Sequence, residues 1–168
     1  MNRLILSVAT VLFAVTEAPA LADTVPGPAG SDVTVYAPSG WKTQAAEHGG
    51  NAILVAVAPK EDAALLYAVV TAKDAGAAMA IVDDVMATMV TDVKVTKGAK
   101  TKVGGMPALA LAGTGTAVDG GKPVSLAAVL VKTNADHMLI AVGLAHTDQK
   151  RAYAGEFKKA LAGIRHTP

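Results

Sequence analysis

The sequence predicts an α+β domain built on a mostly antiparallel sheet with two main amphipathic helices. Three observations carry that expectation. Runs rich in Val, Ile and Leu, each four to ten residues long, are separated by Gly-, Pro- and Asn-containing turns. One segment, from about Ala75 to Val90, repeats its apolar residues at the helical period. A second helical pattern with a basic outer face closes the chain after Thr147.

Taken in order, Met1 to Ala22 reads as a cleavable signal peptide. Arg3 supplies the positive start, Leu4 to Val15 an apolar run of about a dozen residues, and Ala20-Leu21-Ala22 a small-x-small cleavage site after Pro19. The apolar run falls short of the ~20 residues that span a bilayer. Asp23 to Ser31 (DTVPGPAGS) is expected to be a flexible mature N-terminus, and residues 32–168 a single domain. Asp32 to Tyr36 alternates as a short strand and Ala37 to Gly40 turns the chain. Ala45 to Asn51 reads as a polar loop. Ala52–Ala58 and Leu65–Ala72 form an expected antiparallel pair around Pro59 to Asp62. Asp74 is placed to cap the first helix, in which Met79, Val82, Met86 and Val90, with Ile81, Val85 and Met89 beside them, make the apolar stripe. A Lys-rich strand follows from Val93 to Val103, then strands over Ala108–Val118, Val124–Thr133 and His137–Ala145. Gly104-Gly105, Asp119 to Lys122 and Asn134 to Asp136 provide the turns. Thr147 or Asp148 caps the last helix, whose apolar face is Tyr153, Phe157, Leu161 and Ile164.

Composition removes several classes of chemistry. The chain has no Cys, so disulfides, thiol nucleophiles and thiolate metal sites are excluded, and stability rests on packing and backbone hydrogen bonds. A formal charge of +1 lacks the strong basic excess of nucleic-acid binders. After the signal, Tyr36, Trp41, Tyr67, Tyr153 and Phe157 are scattered, unlike the clustered platforms that stack bases or sugars.

No catalytic residue emerges. Ser31, Ser39 and Ser125 lack a nucleophile elbow and a base at a recognisable spacing. His137 and His146 bracket one strand roughly 30 Å long and cannot share a metal. His48 and His166 add no ligand spacing, which leaves only weak pairs of Asp136 with His137 and His146 with Asp148. Asp83 and Asp84 diverge on a helix surface. Gly104-Gly105 and Gly120-Gly121 sit between strands, where hairpin geometry accounts for them rather than phosphate binding. No cofactor site and no metal site is expected.

Charge is the feature with functional content. Lys94, Lys100 and Lys102 share strand parity and are expected on one face, with Lys97 on the other. Lysines protect an edge strand from unwanted pairing; they also make a docking face for an acidic partner or an anionic envelope surface. Trp41 fits either a core anchor at one end of the sheet or an exposed interaction residue.

The order of elements and four motifs resemble a known family. They are Tyr-x-Pro-x-Gly-Trp (Tyr36, Pro38, Gly40, Trp41), Gly-Gly-Met-Pro-Ala (Gly104 to Ala108), a Gly-Thr strand, and Asp-Gly-Gly-Lys-Pro (Asp119 to Pro123). The chain resembles the PsbP-like superfamily, which includes Ran-binding Mog-type proteins and bacterial DcrB-like envelope domains, from about Thr34 to Arg165. The resemblance implies an α/β/α sandwich and an accessory or binding role, with no catalytic signature to transfer. The expected function is therefore an exported, non-enzymatic accessory protein, periplasmic or extracellular, acting on an unidentified protein partner in the envelope. No role with nucleic acid and no membrane span after cleavage are expected. A small-ligand or divalent-metal carrier is the alternative, for which the many Ala of 108–118 and 125–130 leave room; a hydrolase is a distant third.

Overall fold

The structure is a computed structural model that describes residues 24–71, 75–96 and 98–167. The expected signal peptide, the expected Asp74 cap and Lys97 lie outside the described residues. The strands are β1 (Thr24–Pro26), β2 (Val33–Tyr36), β3 (Lys42–His48), β4 (Asn51–Val57) and β5 (Ala63–Thr71). Helix α1 (Ala75–Ala87) follows, then β6 (Val90–Val95), β7 (Ala99–Val103), β8 (Met106–Ala117), β9 (Pro123–Lys132) and β10 (His137–His146). Helix α2 (Lys150–Ala162) and the short β11 (Arg165–His166) end the chain.

The main sheet is antiparallel, in the order β3-β4-β5-β10-β9-β8-β6, with β7 also on β8. Its central strands read as unbroken apolar runs because both of their faces are covered. Along β10, Leu139, Ala141 and Ala145 pack with Phe157 and Ala160 of α2. The intervening Met138, Ile140, Val142 and Leu144 pack with Ala78 and Met86 of α1. The two helices therefore lie on opposite faces, which are called here the α1 and α2 faces. Among the described residues no helix is long and apolar enough to cross a membrane.

Four local expectations are corrected. The polar stretch 45–51 is not a loop. Gly49 and Gly50, at φ +57° and +78°, close a two-residue hairpin, and the residues before them run along β3 at the sheet edge, each exposed or partly exposed. The Lys-rich segment is two strands rather than one. A bulge between Thr91 and Lys94, with Asp92 at φ +52°, and a break at Thr96–Gly98 divide β6 from β7 along the edge of β8. The N-cap of α2 is Gln149, without a side-chain cap; the Thr147 backbone N–H instead donates to the Pro123 carbonyl at 3.0 Å. Finally, part of the segment expected to be flexible forms β1. It pairs with β2, which pairs in turn with β11, in a second sheet of three strands. Strands of three and two residues are too short to show periodicity.

Candidate functional site

The three lysines do not share a face. Lys94 stands opposite Thr114, whereas Lys100 and Lys102 stand opposite Leu109 and Pro107. β8 keeps one unbroken register with β9, so Thr114 lies on the α2 face and Leu109 and Pro107 on the other. Lys94 is thus separated from Lys100 and Lys102, because the break between Val95 and Ala99 shifts the phase of alternation by one residue. All three are exposed. Trp41 is only 6% exposed and packs in the α2-face core, so it contributes nothing to an interaction surface.

The α2 face carries a different feature. The residues of β8 on that face, Ala108, Ala110, Ala112 and Thr114, are small, while α2 packs over β10, β9 and β5. The space left between β7, β8 and the C-terminal half of α2 is an open groove of about 670 Å³. Thr101, Val103, Ala110 and Val129 form its sheet wall, and Lys158, Leu161, Ala162 and Arg165 its helix wall. Arg165 is pinned there: its guanidinium Nη1 donates to the Ala162 and Ile164 carbonyls at 2.5 and 2.9 Å, satisfying orphan acceptors after the last turn of α2. Lys159 forms an ion pair with Glu156 at 3.1 Å and sits 5.9 Å from the Tyr36 ring centroid. Among the described residues neither Lys158 nor Arg165 makes an ion pair, so both leave net positive charge in the groove wall.

Behind the groove, polar contacts tie α2 to β2 and to the loop before β5. Tyr36 donates its hydroxyl to Glu156 Oε2 at 2.5 Å. That bond holds the Glu156 carboxyl below the ordinary glutamate value; partial burial opposes it, and Lys159 reinforces it. A carboxyl lowered in the folded state contributes stability that is fully present above its unfolded value and is lost as pH falls through the folded one. Glu156→Gln is expected to cost under about 1 kcal/mol at pH 7, since the pair is half-exposed, and nothing comparable at pH 3. Urea unfolding at both pH values measures this; an equal loss at both would remove the ionic account. Tyr153 donates to Asp62 Oδ1, and its hydroxyl is pushed up to about 12 by burial first and then by the Asp62 carboxylate. Tyr67, fully buried, donates to the Tyr36 carbonyl at 2.6 Å.

The remaining candidates take structural parts. Ser125 is buried, with its Oγ 3.3 Å from Thr147 Oγ1 and, among the described residues, no base in hydrogen-bonding contact. Asn134 Oδ1 accepts from the backbone of Asp136 and His137 and lies 3.1 Å from His137 Nδ1, so that histidine belongs to a turn. His48 Nε2 lies 3.6 Å from Asp84 on the α1 face. His146 is buried, and among the described residues its Nε2 has no hydrogen-bond partner. Among the described residues no three His, Asp or Glu side chains gather as a metal-ligand set. The Ala-rich strand and the basic last helix are both legible in the sequence; that they form the two walls of one groove is not.

No family model and no curated protein matches the chain in sequence. Solved structures do match in shape. LpqN of Mycobacterium tuberculosis, described as involved in cell envelope biogenesis, is 15% identical over 81% of this chain and 83% of its own, at a TM-score of 0.47. Protein PA94 of Pseudomonas aeruginosa, a putative regulator of unknown function, is 16% identical over 77% and 88%, at 0.48. The solution structure of the cyanobacterial PsbP (CyanoP) of Synechocystis sp. PCC 6803 is 12% identical, covers 87% of this chain and 94% of that one, and has a TM-score of 0.63. With an antiparallel sheet and two helices matching CyanoP across nearly its whole length, this chain has the PsbP-like fold.

Proposed function

We propose that the protein is an exported, non-enzymatic accessory factor that works by binding an acidic segment of a protein partner in the groove beside α2. The observation that carries this reading is the groove itself: a floor of small and apolar side chains flanked by the basic groups of Lys158 and Arg165. Such a site offers apolar contact at its centre and charge at its rim, the usual division of labour in a recognition surface. It replaces the single lysine face expected from residue parity. Export rests on the three-part signal pattern of Met1 to Ala22 and places the domain in the periplasm or outside the cell. The PsbP-like fold supports an accessory role through the resemblance set out above.

A photo-crosslinking residue at Ala110, inside the groove, and another at exposed Val118, beyond the end of β8, test the proposal in the native envelope. The expected result is one partner adduct from position 110, absent from position 118 and reduced about tenfold by Lys158→Glu. Adducts of equal yield from both positions, or insensitivity to Lys158→Glu, would overturn it. At about 670 Å³ the groove also falls in the size range of small-ligand sites. Bound mass in native mass spectrometry of the purified protein, with no adduct at position 110, would favour the carrier reading instead.

A further inference from the structure

The two edges of the main sheet are built differently. The β6/β7 edge is interrupted by the bulge at Thr91–Lys94 and by the break at Thr96–Gly98, and it carries three exposed lysines. These are the devices that prevent edge-to-edge pairing. The β3 edge has none of them in its interior. β3 pairs with β4 residue for residue from Lys42↔Val57 to His48↔Asn51, without a bulge, and contains no Pro. Among the described residues no strand lies on its outer side.

The turn fixes which backbone groups that outer side presents. In a two-residue hairpin the flanking residues form a hydrogen-bonded pair, here His48 and Asn51, and pairs alternate from there. His48, Ala46, Gln44 and Lys42 therefore direct their N–H and C=O groups to β4. Thr43, Ala45 and Glu47 direct theirs outward.

From this we infer that β3 pairs antiparallel with β3 of a second copy about a two-fold axis at Ala45, joining the two main sheets into one. The register is set by the outward groups: Thr43 opposite the partner copy's Glu47, and Ala45 opposite itself. The pairing is self-complementary in charge as well as in hydrogen bonding. Lys42 comes opposite His48 of the other copy, whose Nε2 lies 3.6 Å from Asp84, so an ammonium arrives beside an existing carboxylate. Glu47 meets Thr43, and no like charges face each other. The small Ala45 and Ala46 put no bulk at the axis. Since the opposite edge is protected, the association closes at two copies and does not propagate as a filament. Its contact area is that of two edge strands, which places it among weak, concentration-dependent interfaces.

Sedimentation equilibrium of the purified protein across a concentration series is expected to show a reversible monomer–dimer transition. Ala45→Pro removes an outward N–H and no internal hydrogen bond, so it is expected to give a monomer at every concentration with an unchanged circular dichroism spectrum. A second test does not depend on that variant folding. The chain has no Cys, so Ala45→Cys introduces a lone thiol at the axis, where directly opposed Cα atoms are about 5.5 Å apart, within disulfide range. Mild oxidation is expected to crosslink Ala45→Cys into a covalent dimer and to leave Ala46→Cys monomeric, because two copies of position 46 lie out of register and beyond that range. A monomer throughout the wild-type series, a dimer that persists in Ala45→Pro, or equal crosslinking at positions 45 and 46 would overturn the inference.

Discussion

Gly143→Val is expected to destabilise the domain by about 3 kcal/mol and to lower its melting temperature by roughly 10 °C. Gly143 sits in the middle of β10, paired with Leu65 of β5 on one side and Ala127 of β9 on the other. Its backbone is not left-handed, so its requirement for glycine is one of space. A Cβ there would stand 2.8 Å from Phe157 Cγ and 2.9 and 3.1 Å from the two Cδ atoms. Phe157 is, with Ala160, one of the two buried residues through which α2 docks on the sheet, only 7% exposed. Its ring has little room to retreat, because Tyr153 stacks against it with centroids 6.2 Å apart and Trp41 meets Tyr153 edge-on. Gly143→Ala is expected to cost less, about 1 to 2 kcal/mol. Pairing it with Phe157→Leu should recover part of the loss, since the two positions share one contact and their effects cannot add. Urea denaturation of the four proteins measures the cycle. Strict additivity would mean that the clash is relieved elsewhere and that the glycine has another purpose.

The same contact marks how far the sequence could be read. β10 is legible as a buried strand because both its faces are covered and its apolar run is unbroken. That Gly143 admits a helix is invisible, since nothing in a strand's own pattern states what crosses it. The Gly-Gly-Met-Pro turn illustrates a motif whose signal was readable and whose reason was not. Gly104 has φ +57°, as a hairpin glycine should, but a Cβ on it would also lie 2.5 Å from the Ile164 carbonyl oxygen, where the chain emerges from α2. The failures have a common origin in phase. Parity counting from Lys94 to Lys102 assumes one continuous strand, and the one-residue register shift between Val95 and Ala99, where Gly98 lies, breaks that assumption. β3 hides in the sequence for the converse reason. An edge strand needs only a light apolar pattern, so Ala45 to Asn51 looks like a loop until Gly49-Gly50 is recognised as a hairpin turn. The groove escaped because its walls, Ala110 and Lys158, are far apart in the chain and meet only when α2 folds back on the sheet.

Trp41→Ala is expected to be the costliest single substitution at this end of the molecule, about 4 kcal/mol. Trp41 follows the Pro38 turn, its N–H donating to the Pro38 carbonyl at 3.1 Å, and places its ring at the start of an aromatic series. The indole meets Tyr153 at 5.6 Å and 84°, the edge-to-face geometry that adds to simple area burial. Tyr153 in turn stacks on Phe157 and donates to Asp62, in the loop that precedes β5. Removing the indole therefore opens a cavity and also frees the ring that joins helix, sheet and loop. Trp41→Phe should restore much of the stability by filling part of the volume and presenting another aromatic edge, although without the indole's full reach. The chain contains one Trp, so in the Trp41→Phe and Trp41→Ala proteins unfolding must be followed by circular dichroism rather than indole fluorescence. The comparison separates the two parts Trp41 can play. A core anchor loses stability on truncation and keeps its binding per folded molecule. A residue of an interaction surface would lose binding and leave the unfolding midpoint where it was, and its 6% exposure leaves no area for that second outcome.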